Sequence, residues 1–274
     1  MLAENEVHIW QLKLPQQDNL ILQSFGLLSG DEIIRAGKYK FSEDHNNFIA
    51  SRGVLRIIIG KYLDVQPENI KFSYTSYGKP FLSITEYPIG LNFNLSDTKG
   101  LVLYAFTLIN EIGIDVEHLH EIKDMEAVAA RFFSVNEVQR LKQVALEKRD
   151  DAFLSCWTLK EAYIKAIGEG LSCPLDQFEM AFNEEEMPAL LLAKWDKNEK
   201  ERWKMYRVQS PEGYIASMAV EGKSHELVYK DFDKKFLDNG NPRQGWEKEF
   251  ENMHKNGDDK LIIDDIFQDE NVGE

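Results

Sequence analysis

Cysteine is scarce in this chain of 274 residues. Only Cys156 and Cys173 are present, without a CxxC pair or a His/Cys cluster at zinc spacing. That excludes a disulfide scaffold and a zinc finger, and points to a reducing compartment. Positive charge is also short: 32 Lys and Arg stand against 47 Asp and Glu, a formal net charge of −15. So acidic a chain is a poor general binder of nucleic acid or of an anionic membrane, although a local basic pocket for an anionic cofactor remains open. No apolar run approaches the roughly 18 residues of a membrane span. The opening MLAENEVHIW lacks the basic and apolar stretches of a secretory signal. The expectation is therefore a soluble, cytoplasmic protein. A GxxxxGK[ST] loop and the kinase signatures are missing too, which argues against those phosphotransferases.

What is present suffices for a core: 43% of residues are hydrophobic, and the length accommodates two lobes of ordinary size. Alternating apolar residues predict a first strand over 7–14, and Asp31 is placed to cap a helix starting near Glu32. Helical spacing of Phe48, Val54, Leu55, Ile58 and Ile59 predicts a long helix over 42–62. A short strand over 70–74 and the turn Ser76-Tyr77-Gly78-Lys79-Pro80 follow. Runs at 91–95 and 101–109 read as a hairpin around the polar loop 96–100. Helices are expected over 125–133, 134–146 and 151–167. The second of these opens on a Ser134/Glu137 capping box, and the third stops at Gly168 and Gly170. Strands are expected at 178–182, 203–208 and 214–220. Helix and strand thus alternate once before residue 110 and again after it, without a residue-level repeat. Residues 231–274 carry thirteen acidic and six basic residues and small apolar islands, and read as an acidic, partly disordered tail.

Two segments carry chemistry. In Gly113-Ile114-Asp115-Val116-Glu117, residues two apart share a strand face, so Asp115 and Glu117 point one way beside a glycine that admits close approach. Two carboxylates so placed suit a hard cation such as Mg²⁺; taken alone they read more readily as a solvated strand face. In Trp157-Thr158-Leu159-Lys160-Glu161-Ala162-Tyr163-Ile164-Lys165, helical spacing puts Trp157, Glu161 and Lys165 on one stripe. Taken alone, that stripe reads as an anchor and an ordinary surface Glu–Lys pair.

Together, and in this order, the two segments resemble the signature of the 4′-phosphopantetheinyl transferase family, in its larger, single-chain, pseudo-dimeric type and its W/KEA branch. Weaker matches lie upstream in Tyr77-Gly78-Lys79-Pro80, in Asn92-Phe93-Asn94-Leu95-Ser96, and in the helix carrying Arg52 and Arg56. Arg131-Phe132-Phe133 and Glu137 match downstream. The resemblance covers about residues 33–220. It implies an α+β fold of two similar α/β lobes related by pseudo-two-fold symmetry. The lobes would be 1–110 and 111–230, with 231–274 as an acidic extension.

The resemblance further implies transfer of 4′-phosphopantetheine from coenzyme A to a serine of an acyl or peptidyl carrier protein, releasing adenosine 3′,5′-bisphosphate. Asp115, Glu117 and Glu161 would hold Mg²⁺. Glu161 would be the general base, with Glu117 its rival, and Lys165 would stabilise the pyrophosphate. Arg52, Lys79, Pro80, Ser96 and Lys165 would bind the cofactor. The protein would act as a monomer, with neither nucleic acid nor membrane as partner. The competing expectation is a non-catalytic module that binds coenzyme A or a carrier. One position departs from the family: Asp97 stands where a histidine is usual, and an aspartate repels a phosphate that a histidine would hold.

Overall fold

The computed structural model describes residues 2–16, 18–183 and 185–233. The chain runs through β1 (Glu6–Lys13), α1 (Asp18–Phe25), α2 (Gly30–Ala36) and α3 (Ser42–Leu63). The short pair β2 (Ser73–Tyr74) and β3 (Pro80–Phe81) precedes β4 (Leu91–Thr98), β5 (Leu101–Leu108) and β6 (Ile112–His118). Then come α4 (Met125–Phe132), α5 (Val135–Gln143) and α6 (Arg149–Ile167). The last elements are β7 (Phe178–Ala181), β8 (Ala189–Ala193), the one-turn α7 (Glu199–Arg202), β9 (Trp203–Val208), β10 (Tyr214–Glu221) and β11 (Glu226–Asp231). This is a mixed α and β fold with several sheets. Among the described residues no helix is long and apolar enough to cross a membrane.

Two sheets form the centre, ordered β11-β1-β5-β4 and β6-β10-β9. Strand alternation decides how they meet. Val7, Ile9, Leu101, Leu103 and Ala105 of the first sheet share one core with Ile112, Ile114, Val116, Val208, Ala216, Met218 and Val220 of the second. The opposite faces each carry one long helix. On the first sheet, Tyr104 donates to the Ser51 carbonyl of α3 at 2.9 Å, and Trp10 Nε1 donates to the Tyr62 hydroxyl at 2.8 Å. On the second lies α6, whose Thr158 hydroxyl meets that of Ser217 on β10 at 2.8 Å. Both helices are sunk in the molecule: the twelve residues from Ile49 to Gly60 are all buried, Arg52 and Arg56 among them.

One polar arrangement occurs twice. In α2, Ser29 and Glu32 form a capping box, and Glu32 accepts at 2.7 Å from Nε of the buried Arg56 on α3. Arg56 also donates to the carbonyls of Pro67 and Ile70. At α5, Ser134 and Glu137 form a capping box, and Glu137 pairs at 2.8 Å with the buried Lys160 of α6. Lys160 likewise donates to two carbonyls, those of Leu175 and Phe178, each at 2.7 Å. The strand order repeats as well: β1-β5-β4 and β6-β10-β9 have the same sequence order and antiparallel sense. The correspondence spans different residue types, which is why no repeat is visible in the sequence.

β6 is an edge strand whose free side is satisfied by side chains. Lys79 Nζ donates to Ile112 O at 3.2 Å, Asn94 Oδ1 accepts from Ile114 N at 2.9 Å, and Thr98 Oγ1 accepts from His118 N at 3.4 Å. The bonds from Asn94 and Thr98 of β4 stitch the second sheet to the first where β4 and β6 run side by side.

Several sequence expectations shift. Ser29, not Asp31, caps α2; the Asp31 carboxylate instead accepts from the Tyr74 hydroxyl at 3.0 Å. The segment expected as a loop at 96–100 is strand as far as Thr98, because Ser96, Asp97 and Thr98 stay paired with Leu103, Val102 and Leu101. α1, β3, β8, α7 and β11 were not foreseen. β11 pairs in parallel with β1, so the chain returns from its second half to complete the first sheet. Residues 1–232 form one compact unit. The tail expected over 231–274 lies, beyond Asp233, outside the described residues.

A very close approach between elements is made at Gly113. A Cβ there would stand 2.1 Å from Ala162 O and 2.4 Å from Ala166 N, both backbone atoms of α6. Gly113→Ala is therefore expected to destabilise the protein by about 2–3 kcal/mol in urea unfolding, since the helix must be pushed off the strand. Gly30→Ala, with open space around it, should stay within about 1 kcal/mol.

Candidate active site

Helix α6 is buried almost all round. Through its middle the positions that reach solvent are Ser155, Trp157, Glu161 and Lys165. The stripe seen in the sequence is thus a strip of a core helix that opens outward. Trp157 anchors it, meeting Phe132 edge-on at 5.6 Å and lying parallel to Phe153 at 6.2 Å. Because Gly113 lets the helix backbone rest on β6, the side chains of Glu161 and Lys165 come down beside Asp115.

Lys165 Nζ lies 2.6 Å from Asp115 Oδ1 and 2.9 Å from Ser96 Oγ, and the Ser96 hydroxyl donates to the same Asp115 oxygen at 2.9 Å. Asp115 is 4% exposed, and its second oxygen, Oδ2, has no hydrogen-bond partner. Two further carboxylates feel this centre. Burial, and then the charge of Asp115, raises the pKa of Glu117, against the pull of Lys165 and His120. Burial, then Asp115 and Glu117, raises that of Glu161 to about 7, with Lys165 opposing. Three carboxylates thus share one ammonium, and the site carries an excess of negative charge. Among the described residues no group of three or more His, Cys, Asp or Glu is drawn together tightly enough to hold a metal ion. Here the ammonium of Lys165 sits directly on Asp115.

The other expected residues are spread more widely. Ser96 belongs to the centre, through Asp115 and Lys165. Asp97, the next residue on β4, points to the opposite face and is exposed. Arg52 lies on α3, on the far face of the first sheet, with its guanidinium 5.5 Å over the Phe48 ring and Nη1 buried without a partner. Burial lowers its pKa, while Glu32 raises it and Arg35 lowers it further. Arg56, its neighbour in the same motif, is consumed by the buried contacts described above. Lys79 donates to Glu111 Oε2 at 3.1 Å, Ile112 O at 3.2 Å and Ala166 O at 3.0 Å. Pro80 is buried in β3, paired with Tyr74.

Sequence reasoning gave no role to Lys160 or His120. Lys160 stands beside Glu161 in the motif, and its helical phase, off the open stripe, was the available signal that it points inward. His120 lies only three residues beyond Glu117, with its ring 2.7 Å from the His118 carbonyl, and its charge acts on Glu117.

Comparison with known proteins places these residues in context. The family model "4′-phosphopantetheinyl transferase superfamily" matches residues 111–219, and "4′-phosphopantetheinyl transferase, N-terminal" matches residues 13–108. The chain is 37% identical over 221 residues to the 4′-phosphopantetheinyl transferase HetI of Nostoc sp., covering 81% of this chain and 90% of that one. It is 31% identical to the 4′-phosphopantetheinyl transferase Sfp of Bacillus subtilis, over 63% of this chain and 73% of that one. To the L-aminoadipate-semialdehyde dehydrogenase-phosphopantetheinyl transferase of Mus musculus it is 28% identical, over 74% and 72%. Among solved structures, a holo-[acyl-carrier-protein] synthase of Thermotoga maritima matches with a TM-score of 0.33 and 22% identity, over 41% of this chain and 63% of that one.

The raised pKa of Glu161 has a consequence for stability. The folded value of about 7 lies above the ordinary 4.5, so the folded state holds this proton more tightly than the unfolded state. Stability is lost from the wild-type protein as pH rises from about 4.5 through 7, and Glu161→Gln has no such loss. In chelator, the variant should be more stable at pH 8 by on the order of 1–3 kcal/mol and equal to wild type near pH 4. Urea midpoints at the two pH values check this; a gap that does not widen with pH contradicts the shift.

Proposed function

The chain belongs to the 4′-phosphopantetheinyl transferase superfamily, and on that premise we propose that it moves the phosphopantetheine arm of coenzyme A onto a serine of an acyl or peptidyl carrier protein. One observation carries the mechanism: Glu161, with its pKa near 7, stands on the open Trp157–Lys165 stripe of α6 beside the Lys165–Asp115–Ser96 cluster. At neutral pH a carboxyl so poised is substantially unprotonated and still basic enough to accept a proton. The serine oxygen attacks the phosphorus that bears the pantetheine, and its proton passes to Glu161. The bond from that phosphorus to the bridging oxygen breaks, and adenosine 3′,5′-bisphosphate leaves with the pair of electrons.

Lys165 is the cation nearest the reacting groups and stabilises charge on the pyrophosphate as a point charge. Ser96 holds Lys165 and Asp115 in register. Arg52, buried with an unused donor, suits a distant phosphate of the cofactor, and the turn ending at Pro80 suits its adenine end. Asp97 faces away from Ser96, so its charge is not directed at this centre.

The donor chemistry also suits Mg²⁺, which would have to displace the Lys165 ammonium from Asp115 and draw the three carboxylates together. Asp115, Glu117 and Glu161 offer oxygen ligands, their shared negative charge is unbalanced, and Asp115 Oδ2 is free to coordinate. When bound there, the ion would neutralise charge on the cofactor's pyrophosphate. The doubled arrangement of capping box, buried cation and strand order supports two lobes related by a pseudo-two-fold, each a sheet with its long helix, α3 or α6. Both lobes come from one chain, so a monomer has the whole site.

Incubation with coenzyme A, Mg²⁺ and a panel of apo-carriers should add one phosphopantetheine arm to a carrier serine, read by intact mass, and chelator should abolish the gain. Unchanged mass across the panel refutes the proposal. Glu161→Gln should lower turnover by about 10²-fold or more. Near-normal turnover in that variant transfers the role of base to Glu117.

A further inference from the structure

Lys79 lies in a turn whose resemblance suggests contact with the cofactor, yet its ammonium is committed elsewhere. An ammonium has three donors. Those of Lys79 meet Glu111 Oε2, Ile112 O and Ala166 O at 3.0–3.2 Å, and its side chain is 13% exposed. Each partner is an element boundary. Glu111 and Ile112 open β6, the strand that carries Asp115 and Glu117. Ala166 lies in the last turn of α6, the helix that carries Glu161 and Lys165.

Both carbonyls need such a donor. The last-turn carbonyls of a helix have no partner within the helix, and a cation there also complements the helix dipole. Helix α6 ends at Gly168 in the left-handed conformation, with φ 78°, and only that residue's N–H turns back, to Ile164 O. Ile112 O lies on the free edge of β6, away from its partner strand β10. A Cβ on Gly168 would come within 3.6 Å of Lys79 Cδ, so the lysine stem runs against the helix end itself.

We propose that Lys79 is a positioning residue, a latch that fixes the C-terminal end of α6 to the start of β6 and so sets Glu161 and Lys165 over Asp115. This rests on the reading of the site given above and adds to it a residue that touches neither substrate. Two contacts then fix the helix against the strand: Gly113 permits the approach, and Lys79 holds it at the end nearest Lys165. A small displacement of a catalytic group far outweighs the loss of a surface ion pair, since a misplacement of about 1 Å can reduce turnover about 10²-fold.

The test compares Lys79→Met and Lys79→Arg in the full-length protein. The latch predicts that Lys79→Met lowers kcat at saturating coenzyme A by about 10-fold or more while KM for coenzyme A stays within about twofold. Backbone amides from Ile164 to Gly168 should exchange with solvent at least about 10-fold faster, measured without cofactor or carrier. Lys79→Arg keeps the charge but offers a planar fork that does not fit this arrangement of acceptors, so it should show the same two effects more weakly. If Lys79→Met does not fold, Lys79→Arg alone carries the test. A raised KM for coenzyme A with kcat unchanged, and full recovery by arginine, would make Lys79 a phosphate ligand and overturn the latch. Unchanged exchange at the end of α6 also overturns it. Because exchange is read without substrates, it decides the latch even if the wild-type protein modifies no carrier.

Discussion

The contact of α6 with β6 at Gly113 is the constraint on which the site depends. A helix packed on a strand through ordinary side chains stands well off it, because Cβ atoms intervene. Here the carbonyl of Ala162 and the amide of Ala166 occupy the space a Cβ would need. The helix therefore comes close enough for Lys165 to reach both Asp115 on β6 and Ser96 on β4. Around this contact the packing is polar as well as apolar. Thr158 meets Ser217, and Lys160 is clamped between Glu137 and two carbonyls. Each of these bonds fixes the rotation of α6 about its axis, which apolar packing alone would specify less sharply.

The two halves are alike in strand order and in a buried cation held by a capping-box glutamate, and they differ in what faces the long helix. Strand β1 corresponds to β6 in sheet order, and α3 to α6 in the buried cation that pairs with a capping-box glutamate. On the helix-facing side of β1 stand His8, Trp10 and Leu12; on that of β6 stand Gly113, Asp115 and Glu117. In the first half, Trp10 and His8 fill the gap to α3 and bond to Tyr62. In the second half, a glycine and two carboxylates leave the gap polar and narrow. The buried cation serves stability in both halves, while the carboxylates are tolerated in one because Lys165 and solvent along the open stripe offset their repulsion.

Much of this was legible in the residues. The alternation of β6, the length of α3 and α6, the Ser134 capping box and the stripe of Trp157, Glu161 and Lys165 follow from period and position, and the fold has them. What escaped depends on distant partners. Lys160 is one position from Glu161, but its burial is decided by Glu137, Leu175 and Phe178. Ser96 was placed in a loop because Ser96-Asp97-Thr98 is turn-like in composition, whereas pairing with β5 and the hydrogen bond to Asp115 hold it extended. Lys79 was assigned by its motif to the cofactor, and nothing local reveals that Ile112 and Ala166 converge on it. β11 gave no strong signal, since an exposed outer strand with one wet face shows only weak alternation.

That outer strand has a consequence for synthesis. β11 lies parallel to β1, with Glu6 opposite Glu226 and Gln11 opposite Asp231. Strand β1 thus leaves the ribosome more than 200 residues before the segment that covers its second edge. Until then a nascent chain holds β1 with one row of unpaired backbone groups, the kind of edge at which foreign strands add. A chain that stops between β10 and β11, after Glu221 and before Glu226, keeps Asp115, Glu117, Glu161 and Lys165 but leaves that edge of the first sheet open. Covering that edge of the first half therefore waits on residues 226–231.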